Sequence, residues 1–273
     1  MTPATTLYVR FGVHEVAFRS DAWDLLDSLR QSFRHMLGSG EGTVVGTVEL
    51  HRADDRIVGQ GPTGTFQGEP SAPEAILRWA RYQALERLVA SRPDLLWLHG
   101  AAAGYRGRAV IMPGQAGRGK STLVTGLCRR GWTFLTDDIM PVVPETLAVH
   151  PFPQSAAVRP DPGEDQPDSW LWRVAKAEIP LDDRIARDPL PPGAVVIPDA
   201  RRGGTTDLTP CPPSEAALEL ARGCWNFAEH GERAIGIMAR VVTRVPTFRL
   251  GFRDGDEAVE RLAGWADQAW SPE

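Results

Sequence analysis

The chain has 273 residues, of which 42% are hydrophobic and 24% charged, and its formal net charge is -5. Those values suit a chain that buries a core in one large domain or two small ones, and they exclude a disordered tail or a disulfide-stapled miniature domain. The mild acidity also argues against binding a nucleic-acid backbone, which needs a concentrated basic face.

Alternating apolar residues at Leu7, Val9 and Phe11, and again from Val13 to Phe18, predict two short strands. Ser20 or Asp21 can then cap a helix with Leu25, Leu26, Leu29, Phe33 and Leu37 on one stripe, stopped at Gly38. Residues 43–50 read as a strand, and the glycine- and proline-rich stretch from Gly59 to Pro70 reads as turns and a domain boundary. That divides the chain into a small N-terminal α/β subdomain, 1–70, and a larger domain, 71–273. Ser71-x-x-Glu74 has the form of a capping box for a second helix, which Arg92-Pro93 ends. Leu95 to Ala103 and Arg108 to Met112 are the next two strands, followed by a glycine-rich loop, a helix from about 119 to 130, and a strand from Thr133 that ends at Asp137-Asp138. Fifteen of the 23 prolines fall between 141 and 213, where Ala194 to Ile197 is a clear strand candidate. Helices near 214–225 and 232–243, a strand at 246–252 and a last helix from 256 to about 269 complete the pattern.

No apolar run reaches the roughly 18 residues of a membrane helix, and no signal peptide is visible at the N-terminus. Cys128, Cys211 and Cys224 form no CxxC pair, which fits a reduced, cytoplasmic setting. Neither a membrane nor a nucleic acid is expected as a partner.

Residues 114–121, Gly114-Gln115-Ala116-Gly117-Arg118-Gly119-Lys120-Ser121, are an unbroken GxxxxGK[ST], continued by Thr122. Glycines let backbone N–H groups curl around a phosphate, and the helix that follows adds the favourable end of its dipole. Lys120 would reach the β- and γ-phosphates of ATP, and Ser121 would ligate Mg²⁺. With this composition roughly 0.002 chance matches are expected, before the strand–loop–helix context is required. The usage of basic residues points the same way: 28 are arginine, and only Lys120 and Lys176 are lysine. A thin stem with a compact charge fits inside such a loop, whereas a planar guanidinium does not.

Seventeen residues beyond Lys120 stand Asp137 and Asp138. A bare Asp-Asp pair is usually a solvated turn, as expected for Asp54-Asp55 and Asp182-Asp183. Placement after the loop's helix favours chemistry instead: one carboxylate for Mg²⁺ and one to take a proton from an attacking hydroxyl. His99, in the strand before the loop, taken alone reads more readily as a satisfied core residue than as a site residue, and His150 has the same ambiguity with less support.

The segment from Leu98-His99-Gly100-Ala101 through Asp137-Asp138 resembles the catalytic domain of the HPr serine kinase/phosphorylase family. His150-Pro151-Phe152-Pro153 to Arg159, and Val195-Val196-Ile197-Pro198, look more like HPr kinase-related kinases of peptide-modifying gene clusters, including those that phosphorylate lasso-peptide precursors. The resemblance implies an α/β P-loop kinase core of the HPr kinase/phosphoenolpyruvate carboxykinase type. It implies nucleotide contacts from Gly114, Ala116, Gly117, Gly119, Lys120, Ser121 and Thr122, and makes Asp137 the general base. Ser121 and Asp138 would hold Mg²⁺, and His99 would lie close to the reacting phosphate. Arg159, from its place after the expected active-site strand, reads equally as a contact for the acceptor or phosphate and as a surface salt-bridge residue. The arginine-containing segment that the family uses in phosphorolysis is not found between Ala148 and Pro213.

The reading is therefore an ATP- and Mg²⁺-dependent kinase acting on a hydroxyl, with a serine of a peptide or small protein as its acceptor. A nucleotide-binding regulatory scaffold and a kinase of a small metabolite are the alternatives, and a homo-oligomer stays open.

Overall fold

A computed structural model describes residues 5–53, 55–71, 73–154, 157–158, 177–178, 184–200 and 204–271. Arg159, Lys176, Asp54, the Asp182-Asp183 pair and the Arg201-Arg202 pair lie outside the described residues. The protein is a mixed α/β chain with two large sheets, and it divides into two compact units, Met1–Pro93 and Asp94–Glu273.

In the first unit, β1 (Thr5–Phe11), β2 (His14–Ser20), β3 (Thr43–Arg52), β4 (Ile57–Gly61) and β5 (Gly64–Gly68) form one sheet in chain order. All neighbours are antiparallel except β2 and β3, which are joined through α1 (Trp23–Ser32). The alternation that predicts β1 buries Leu7, Val9 and Phe11. The first helix ends at Ser32 rather than running to Gly38. Leu37 instead bridges to Val9, and Ser20 caps nothing on α1: its hydroxyl donates to Leu50 O and accepts from Ala22 N.

The stretch expected to be a boundary is a β-hairpin. Its glycines serve close packing: a Cβ at Gly59 would come within 2.4 Å of Trp79, and one at Gly61 within 2.6 Å of Gln83. Both of those residues sit on α2 (Glu74–Ala90), so the helix lies directly on this sheet and belongs to the first unit. The division after Pro93 thus replaces the expected one at residue 70. The capping box does not form either, because Ser71 Oγ bonds Glu69 and Pro73 stands at the N-cap.

The second unit is built on β6 (Leu96–Tyr105), β7 (Arg108–Pro113), β8 (Thr133–Val142), β11 (Pro192–Ala200), β12 (Asp207–Pro210) and β13 (Thr247–Phe252). The short strands β9 (Ala157–Val158) and β10 (Ala177–Glu178) pair only with each other. The six-stranded order is β12-β13-β11-β7-β6-β8, with β13, β11 and β7 mutually parallel. One core cluster joins this sheet to α3 (Lys120–Arg129) and α7 (Gly255–Ala269), through Leu123, Val124 and Leu127 against Val259, Leu262 and Ala266. A second joins it to α4 (Pro213–Arg222) and α6 (Glu232–Arg244), with the one-turn α5 (Phe227–His230) between them. Each large apolar side chain buried there contributes roughly 1.5–3 kcal/mol.

Within the cores, burial pushes the Cys128 thiol up to about 12 and that of Cys224 to about 11. Both stay neutral thiols near pH 7 and are poor nucleophiles. Of the Arg129-Arg130 pair, Arg130 is bound to Glu260 on the surface. No described helix is long and apolar enough to cross a membrane.

Candidate active site

The candidate residues converge at the middle of β6, where β7 ends, inside the second unit. This strand lies between β7, whose end releases the glycine loop, and β8, which carries the aspartates. Gly100 pairs with Asp138 and Ala101 with Asp137, so the carboxylates are delivered in register beside His99.

Gly114, Gly117 and Gly119 all have left-handed backbones, with φ of 137°, 86° and 93°. At Gly119 a side chain is excluded twice over, because a Cβ would also stand 2.4 Å from the Phe252 ring. The loop ends on α3, which has neither a side-chain cap nor an acidic residue in its first turn. Its first N–H groups thus keep the positive end of the helix dipole facing the loop.

Lys120 is only 5% exposed. Its ammonium donates to Gly114 O at 2.6 Å and Gln115 O at 2.9 Å, and approaches His99 Nε2 at 3.1 Å. An ammonium only donates, so Nε2 accepts and the ring proton of a neutral His99 sits on Nδ1. Nδ1 lies 3.3 Å from Asp138 Oδ1. Lysine, histidine and aspartate therefore form a continuous chain.

Adjacent strand residues ordinarily face opposite sides. Here β8 is distorted, with Asp138 at φ 88° and the Thr136 hydroxyl donating to Ile139 O across the two aspartates. Such a backbone is costly for a non-glycine residue and is tolerated best by aspartate and asparagine. The strand does not end at the aspartates, as its sequence suggests, but continues to Val142. Asp137 is buried and accepts a hydrogen bond from Ser121 Oγ at 3.0 Å, whereas the Asp138 side chain is 53% exposed. The structure thus brings Ser121 to Asp137, and His99 to Asp138, instead of pairing Ser121 with Asp138. Ala116 and Thr122 lie in the loop and on α3, and the His150 ring meets the carbonyl of its neighbour Pro151 at 3.0 Å.

Several positioning residues escape a reading of the sequence. Beyond Gly100 the place of β7 is taken by residues 223–226: His99 N donates to Gly223 O, Trp225 N to Trp97 O, and Trp97 N to the Asn226 side chain. The Asn226 amide donates in turn to Leu95 O at 2.8 Å. A Cβ at Gly223 would stand 2.9 Å from His99 O, so glycine permits this contact. Loss of the Asn226 amide removes the oxygen to which Trp97 N donates, while Leu95 O keeps His230 Nε2 at 3.1 Å. Asn226→Ala is expected to lower stability by about 2 kcal/mol, as measured by urea unfolding.

Asp199 ends a buried apolar run on β11, the neighbour of β7, and that pattern is the signal that marks it. Its carboxylate binds Arg118 of the loop at 3.4 Å and Arg249 at 3.6 Å, and Arg249 also contacts Glu215. The loop is therefore tied to the adjacent strand.

No family model matches the chain, and no curated protein matches it. Among solved structures it is similar to the HPr(Ser) kinase/phosphatase from Coxiella burnetii, with a TM-score of 0.31 and 11% identity over 63% of this chain and 98% of that one. That likeness is distant, and the roles assigned to residues below rest on the geometry of this chain.

Proposed function

We propose that the chain is an ATP- and Mg²⁺-dependent phosphotransferase that phosphorylates a hydroxyl, the acceptor being a serine of a peptide or small protein. The observation that carries this reading is the meeting of a buried lysine, a glycine loop at an uncapped helix start, and two adjacent carboxylates on β8. The residues fit a nucleotide: the loop backbone is left-handed at three glycines, and the Lys120 ammonium lies across its inner carbonyls. They fit Mg²⁺ as well, with Ser121 Oγ and Asp137 Oδ1 offering two oxygens 3.0 Å apart. Among the described residues no cluster of three or more His, Cys, Asp or Glu could hold a metal. Magnesium is commonly held by one or two protein oxygens, with phosphates and water supplying the rest.

When bound, the Mg²⁺–nucleotide complex supplies the phosphoryl group and neutralises part of its charge. Lys120 adds a fixed positive charge beside that group, and the uncapped N–H groups of α3 hold its oxygens. Asp137, buried and bound to Ser121, suits the metal-facing role. Asp138, exposed to an arriving acceptor, suits proton removal from the hydroxyl, with the His99 Nδ1 proton orienting its Oδ1. This exchanges the two aspartate roles expected from the sequence.

The test is incubation of the pure chain with labelled ATP, Mg²⁺ and serine peptides, alongside their alanine counterparts. Label on the serine peptides alone, with matching ADP formation, is the expected result. Nucleotide binding with no ADP formed against any hydroxyl acceptor would identify a nucleotide-responsive scaffold instead.

A further inference from the structure

The parallel strands β7, β11 and β13 end at the loop and begin at a second feature, a cleft of about 710 Å³. The six residues of β7, at about 3.3 Å each, put roughly 20 Å between the two. Arg106, Arg108 and Arg244 line the cleft together with Trp265, Trp270 and Gly193. A Cβ at Gly193 would stand 2.5 Å from Trp270 and 2.8 Å from Arg108, so the glycine lets the indole and the arginine stem close over the strand start. The aromatic wall is fixed by its own packing. Trp265 and Trp270 meet edge to face at 5.4 Å, and Trp270 also touches Trp132 and Tyr105.

The charges are unevenly satisfied. Arg106 is held by Asp267 and by the Trp270 carbonyl. Arg108 and Arg244 are exposed and have no ion-pair partner among the described residues. In a chain of net charge -5, two unneutralised guanidinium groups beside two indole faces form a local positive, apolar surface. Small ligands favour enclosed, mostly apolar pockets. This cleft is open, since Arg108, Arg244, Pro246 and Ala269 on its rim are all exposed, and an open groove suits an extended chain.

We propose that this cleft docks an acidic peptide segment, with carboxylates on Arg108 and Arg244 and apolar side chains against Trp265 and Trp270. The segment would belong to the acceptor, remote from its serine. That assignment rests on the phosphotransferase reading, whereas the docking itself needs no nucleotide.

The probe is the fluorescein-labelled hexapeptide Glu-Asp-Leu-Asp-Glu-Leu, titrated with the full chain by fluorescence anisotropy without nucleotide. Its amide analogue, Gln-Asn-Leu-Asn-Gln-Leu, is the comparison. Saturable binding of the acidic peptide is expected, weakened by added salt and reduced about tenfold or more by R108E/R244E and by R108Q/R244Q. R129E/R187E, which reverses two exposed arginines elsewhere, and K120A are expected to bind as the unaltered chain does. The proposal is overturned by an absence of saturable binding, by equal binding of the amide analogue, or by losses in R129E/R187E matching those in R108E/R244E. Loss of binding in K120A would place the peptide at the loop and also overturn it. A chain that binds the hexapeptide yet forms no ADP would refute phosphotransfer and leave the groove standing; the converse result would refute only the groove.

Discussion

Lys120→Ala is expected to lower phosphate transfer by about 10²–10³-fold or more and to weaken nucleotide binding in the same variant. The ammonium is buried at the inner side of the loop, held by two loop carbonyls and His99, so its charge acts where water screens little. Under the proposed function, removing it takes away the fixed charge that faces the transferred group. Lys120→Arg is expected to fail almost as badly, since a planar guanidinium cannot occupy a space shaped by Gly114 O, Gln115 O and the His99 ring. Steady-state ADP formation and calorimetric titration with a non-hydrolysable ATP analogue measure the two losses separately. Unchanged turnover in Lys120→Ala would remove the loop from the reaction.

Asp138→Asn and Asp137→Asn are expected to fail in different ways. Asparagine at 138 keeps the size and tolerates the left-handed backbone, but it cannot take a proton. Turnover is therefore expected to drop by about 10²–10⁴-fold with nucleotide affinity retained. Asparagine at 137 removes the negative charge beside Ser121, so its loss is expected to show as a raised Mg²⁺ requirement that excess Mg²⁺ partly rescues. Turnover against Mg²⁺ concentration separates them. Rescue of Asp138→Asn by Mg²⁺, with none for Asp137→Asn, would return the roles to the assignment expected from the sequence.

The loop was legible because its chemistry is local: glycines, lysine and hydroxyl must be consecutive, and a strand and helix must flank them. Strands β1, β3, β6, β7 and β13 were legible from alternation or from continuous apolar runs. The hairpin of β4 and β5 was not, since its glycines look like turn formers and declare their packing role only when Trp79 and Gln83 lie over them. The different surroundings of Asp137 and Asp138 were equally hidden. They depend on one left-handed residue and a threonine clasp within a strand, which adjacency in the sequence cannot express. The Arg108–Arg244 cleft was invisible for another reason: it is assembled from strand beginnings and helix ends that share no motif.

The seam between β6 and residues 223–226 has a consequence for how the protein comes into being. Its hydrogen bonds join residues 129 and 131 positions apart, and they complete the edge on which His99 stands. Contacts of that span form slowly, because a long loop must close before they repay it. A ribosome that has already released the glycine loop and both aspartates has still not made a finished site. That site is complete only after Asn226 has emerged, so under the proposed phosphotransferase function a nascent chain would carry every reacting group and stay inert.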